Sequence, residues 1–263
     1  MPSWRSPHYS IGGALVVAWL AAILFVDWGT FNLDAALIFA GVGCIFPVAF
    51  SILAVRSNER LGPAVAGAVG NVTPIFAVLD AVLFLGERLG LLQLAGLAMV
   101  VGGVALLALR AGAGGRHWSV WVLGLPLAAA LVRGAIQPAI KTGLALWPEP
   151  LAAAAIGYAL SSVVIVSLVG RRALREGPAI RSGVLWFLAV GFANGSATFL
   201  LYAALGLGSI TVVAPLVALF PLMGVVMSWI FLRGEQLHAI GLIVILVILV
   251  SVAGVILLVL GGT

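Results

Sequence analysis

The sequence predicts an all-α polytopic membrane protein that crosses a bilayer about nine times and is built from two related halves. Three observations carry this. Apolar residues make up 63% of the chain and charged residues only 8%, whereas about a quarter of a soluble globular domain is charged. Long uncharged apolar runs recur along the whole length, many of them reaching the roughly 18 residues that cross about 30 Å of hydrocarbon. Finally, one arrangement occurs twice. Residues 61–85 are apolar with Pro74 inside, Gly86-Glu87-Arg88 makes a short polar turn, and a second apolar run follows to Leu109. Near the end of the chain, residues 208–232 carry Pro221, Gly234-Glu235 marks the turn, and residues 240–260 are again apolar. An outer-membrane barrel would show alternating ten-residue segments, and none is visible.

In chain order, a polar start with Arg5 leads to a first run, Ile11 to Val26, that is short for a span but flanked by Tyr9 and Trp28, residues suited to a membrane–water boundary. A cleaved signal peptide is the rival reading, but no A-x-A-like site follows. After a loop at 27–32 comes a span from Leu33 to Val55 that contains Pro47, then a charged loop, Arg56 to Arg60. The spans 61–85 and 91–109 complete the first half. The Gly/Arg-rich linker 110–117 places the boundary between residues 112 and 113. The second half, 113–263, holds five further spans: 118–141, 151–169, 184–205, 209–232 and 240–260.

The net charge of +5 belongs to loops that orient a membrane protein and does not call for a nucleic-acid partner. Ten of the arginines (5, 56, 60, 110, 116, 171, 172, 175, 181 and 233) fall on one side of the expected topology. Arg88 and Lys141 fall on the other, and Arg133 lies within a span. The expected location is the cell membrane, with the N-terminus cytoplasmic and the C-terminus external. The single cysteine, Cys44, is read as a buried small residue.

The stretch TPIFAVLDAVLFLGERLGLLQLAGLAMVVGGVAL, and more loosely FPLMGVVMSWIFLRGEQLHAIGLIVILVILVSVAGVIL, resembles the repeat of EamA-type transporters of the drug/metabolite transporter superfamily. The resemblance implies inverted repeats of five helices each, a central cavity, alternating access, and export of metabolites, amino acids or drug-like compounds. Against that pattern the usual first helix is missing. The loop from Asp27 to Asp34 is acidic where the family carries basic residues, and Arg171 to Arg181 is basic instead.

Candidate residues follow from what hydrocarbon tolerates. A mid-helix proline frees the carbonyl four residues earlier, Gly70 for Pro74 and Val217 for Pro221. Such carbonyls are accepted only inside protein or beside a cavity, and paired broken helices point to a midplane binding site; a structural kink is the alternative. Asp80 and Arg133 are ionisable within apolar runs, and such residues default to function. Asp80 is expected to face Arg133 or Lys141, for proton coupling or to hold a zwitterionic or anionic solute. The alternative is that Arg133 snorkels and Asp80 lies near the boundary. Asn71, Thr73, Gln137, Asn194, Ser196, Thr198 and Tyr202 extend the polar lining, with Phe76 and Trp229 shaping an apolar wall. Glu87 and Glu235 sit at turns, where capping or loop pairing accounts for them. The small residues Ala64, Ala66, Ala68, Gly70, Ala214 and Ala218 are read as packing.

No zinc-protease helix motif, paired aspartates within a span, or phosphate loop is present, so an enzyme is not expected. Nor are a cofactor or a metal. The expected protein is a secondary carrier whose partners are a small-molecule solute and the lipid bilayer, and a homodimer would restore an even helix count. A non-transporting scaffold or a lipid-translocating protein is the alternative.

Overall fold

A computed structural model describes residues 6–61, 69–70, 72–111, 120–173 and 181–217, together with the isolated positions 66, 253–254 and 257. Among them every regular element is helical. The α-helices are α1 (Ser6–Phe25), α2 (Leu33–Ile45), α3 (Val48–Leu61), α4 (Thr73–Leu85), α5 (Leu91–Ala111), α6 (Gly124–Leu146), α7 (Pro150–Ala173), α8 (Arg181–Leu207) and α9 (Ile210–Val217). Short 3-10 turns occupy Trp28–Thr30 and Val120–Leu123. Among the described residues four stretches are long and apolar enough to cross a membrane: Leu33–Leu61, Trp121–Leu146, Pro150–Leu168 and Leu188–Leu207. The chain is an integral membrane protein, all-α where it is described.

Two compact units divide the chain, and each takes residues from both sequence halves: 1–55 with 136–208, and 56–135 with 209–263. In the first unit, α1 packs on α8 and α7, and α2 packs on α7. The α2–α7 crossing is tight because glycine meets glycine: a Cβ on Gly43 would stand 2.7 Å from the Gly157 Cα. Small residues at such crossings let backbones approach in lipid, where van der Waals contact replaces the hydrophobic drive. The loop ahead of α2 is held by its own polar side chains. Asp27 Oδ1 accepts the Gly29 N–H at 2.9 Å, and Asn32 caps α2 by accepting the Ala35 N–H at 3.0 Å. Behind this loop Trp147 is fully buried and donates its indole N–H to Thr30 Oγ1 at 3.1 Å. The Trp28 and Phe31 rings meet it edge-on at 5.9 and 5.3 Å.

In the second unit α9 packs on α4 and α5. The α4 helix ends at Gly86, whose φ of 64° is the left-handed conformation that glycine reaches without a Cβ clash. Gln93 closes the start of α5 by accepting the Gly90 N–H at 2.9 Å.

Three expectations need correction. Arg56 to Arg60 do not form a loop: α3 runs through them to Leu61, because a helix satisfies its own backbone whether or not lipid surrounds it. Pro74 is not in mid-helix; it lies in the first turn of α4, where a missing N–H costs nothing. Cys44 is exposed rather than buried. In a membrane segment the outer face meets lipid, so an apolar thiol has no drive to turn inward.

Candidate functional site

The polar groups of the membrane helices gather in three places. The first lies on α6, where Arg133, Gln137 and Lys141 recur at every fourth residue and so share one face of the helix. Pro138 sits inside this helix and removes one donor from its ladder. The Thr142 hydroxyl bonds the Pro138 carbonyl at 3.0 Å. Lys141 Nζ donates to the Gly208 carbonyl at 2.9 Å, a cation placed just past the C-terminal end of α8. Gln137 is 2% exposed, and its side-chain oxygen has no hydrogen-bond partner among the described residues. Arg133 is half-buried. Beside it, Gly134 lies against the first turn of α4, where a Cβ would come within 2.7 Å of Phe76 Cβ and 2.9 Å of the Ala77 nitrogen.

The second place is a polar seam in the first unit. The Tyr158 hydroxyl of α7 pairs with Thr198 Oγ1 of α8 at 2.8 Å and reaches the Asn194 carbonyl at 3.4 Å. The Asn194 side chain donates to Ser10 Oγ of α1 at 3.3 Å. Tyr202, one turn beyond Thr198, is buried, and Ser196 is half-buried. Four expected lining residues thus fall on one helix, α8, two of them in a single bonded chain, and the sequence reading missed Tyr158 and Ser10. The missed signal was the phenol itself, since a tyrosine inside an apolar run must bring its hydroxyl to a partner.

The third place is the turn after α4. Both carboxylate oxygens of Glu87 accept backbone N–H groups at the start of α9, Ile210 and Thr211, each at 3.0 Å. The repeat's glutamate therefore caps a helix distant in sequence, which suits a negative charge at a helix N-terminus. Close to it in sequence, Asp80 is half-buried on α4 and makes no ion pair among the described residues. The Thr73 hydroxyl bonds the Gly70 carbonyl at 2.8 Å, the carbonyl that Pro74 leaves without its ladder partner. Asn71, Pro221 and Trp229 lie outside the described residues. An apolar groove of about 670 Å³ also runs between α1 and α7, flanked by Trp19 and Ser162. Among the described residues no group of three His, Cys, Asp or Glu could hold a metal.

Interrupted helices carry buried polar groups through an apolar membrane chain. Residues 6–109 match the EamA-like transporter family. A stretch of 97 residues is 35% identical to a protein of Streptantibioticus cattleyicolor named "Probable terminal-alkyne amino-acid exporter". The match covers 37% of this chain and 32% of that protein, so the chain spans about a third of the curated relative's length. A crystal structure described only as that of a protein shares the fold, with a TM-score of 0.79 at 17% identity over 99% of this chain and 89% of the other.

Proposed function

We propose that the chain is a secondary carrier that exports small organic solutes across the cell membrane by alternating access, with amino-acid-like compounds the first class to test. The observation that carries this reading is the α6 face, where Arg133, an unpartnered buried Gln137 and the Pro138 interruption adjoin within one span. Polar groups that need not be there in an apolar helix mark a solute path. The family match and the curated relative's name support it. The ancestral repeat boundary is at 112/113, the N-terminus is cytoplasmic, and two chains form the working unit. Asp80 is the coupling candidate.

The test is a thermal-shift screen of the purified protein against amino acids, polyamines, nucleosides, sugars and amphipathic drugs. A ligand that binds only the folded state raises the melting temperature by mass action. The expected result is a concentration-dependent shift from one class, reduced in Arg133→Ala, with transport by the reconstituted protein losing its pH dependence in Asp80→Asn. The groove between α1 and α7 favours a second reading, a protein that handles lipid. A shift produced by phospholipids alone would select that reading and overturn the first.

A further inference from the structure

We propose that the Gln137 side-chain oxygen is the acceptor by which this carrier reads a hydrogen-bond donor, an N–H or O–H, on its solute. The inference rests on the carrier reading above and assigns one contact within it. Gln137 is 2% exposed and its oxygen has no partner among the described residues. An enclosed acceptor without a donor is costly in a medium of low dielectric, and a leucine or methionine in its place would avoid that cost altogether. Among the described residues none of the neighbouring groups along α6 donates to it. Pro138 has no N–H, the Thr142 hydroxyl serves the Pro138 carbonyl, and Lys141 serves the Gly208 carbonyl. The donor that completes this amide therefore comes from the solute when the carrier opens to admit it. Sites built around such a group reject analogues lacking the matching donor far more strongly than apolar pockets reject a change of size. An ammonium would make the stronger, charge-assisted form of the bond.

The test compares matched solutes on the full chain in detergent: L-leucine against 4-methylpentanoate, and L-phenylalanine against 3-phenylpropanoate. The wild type is expected to bind the amino member about tenfold or more tightly than its partner. Gln137→Met, which keeps the length and removes the acceptor, should reduce that ratio to about twofold or less. Gln137→Glu, which keeps an acceptor, should preserve it. Without solute, Gln137→Met should melt at the wild-type temperature or above. A ratio unchanged in Gln137→Met overturns the assignment and leaves the carrier reading standing. A solute-free melting temperature several degrees below wild type also overturns it, because the amide would then be bonded within the protein. Indifference of the wild type to all four solutes counts against the carrier reading for donor-bearing solutes, and the assignment falls with it.

Discussion

Pro47 lies between two helices and Pro74 in the first turn of one, and the protein satisfies the carbonyls they leave open differently. Each proline follows a glycine by four residues, Gly43 and Gly70, so each leaves a glycine carbonyl without its ladder donor. At the first, the repair comes from another helix. Ser161 of α7 is fully buried and its hydroxyl lies 2.7 Å from the Gly43 carbonyl, with the Phe46 and Gly157 carbonyls at 3.1 and 2.9 Å. At the second, the repair is local, from Thr73 to the Gly70 carbonyl at 2.8 Å. The surroundings differ as well: a Cβ at Gly43 would press on the backbone of Gly157, whereas at Gly70 nothing among the described residues stands within 4 Å. A break mended across helices ties two spans together. One mended by its own residues needs no hydrogen bond from a neighbouring helix.

The difference is most sharply broken by adding one carbon at each glycine. In Gly43→Ala the new methyl meets backbone, which cannot move aside as the end of a flexible side chain would. We expect a loss of roughly 3 kcal/mol, the upper part of the usual overpacking range. In a chain of this size that lowers the melting temperature by roughly 6–12 °C. Gly70→Ala should stay within about 0.5 kcal/mol of wild type. Thermal unfolding of the two variants in the same detergent measures both. Equal losses would mean that the α2–α7 crossing is not the tight contact described.

Ser161→Ala comes next in size. It removes the donor from the buried Gly43 carbonyl without adding bulk, and an acceptor left unsatisfied costs about 1–3 kcal/mol. Ser161→Thr keeps the hydroxyl and should recover part of the loss. If Ser161→Ala melts with the wild type, the inter-helix repair carries no stability and the contrast with Thr73 disappears.

What the sequence made legible follows from what hydrocarbon demands of a chain. Uninterrupted apolar length located the spans around α2, α6, α7 and α8, and the Asn32 and Gly86 boundaries matched the cap chemistry expected at helix ends. Which face of each helix turns inward was not legible. These helices are apolar all round, so no polar side marks the outside, and Cys44 was accordingly placed on the wrong face. The charged stretch at Arg56–Arg60 misled for a related reason, since charge marks the limit of the membrane but not the end of a helix. At the candidate site the ionisable residues stood out, yet the bonded partners did not. Tyr158 reaches Thr198 across 40 positions and Glu87 reaches Thr211 across 124, and no local pattern encodes such pairings. Pro74 was found but misplaced, because a proline read from sequence frees a carbonyl without revealing whether the chain kinks there or starts a new helix.

Thr73→Val gives the smallest expected effect and the finest test of the comparison. Valine keeps the branched shape and deletes only the hydroxyl that bonds the Gly70 carbonyl. That hydroxyl is half-buried and its acceptor lies three residues away, so the carbonyl can find another partner with little rearrangement. Polar contacts within membrane proteins average about 0.6 kcal/mol when measured pairwise, and we expect Thr73→Val to fall at or below that figure, well under Ser161→Ala. Combining the two substitutions sharpens the point. Independent repairs should give additive losses, within about 0.3–0.5 kcal/mol. A larger deviation would show that the two breaks are energetically coupled, and the picture of one locked and one self-contained interruption would have to be abandoned.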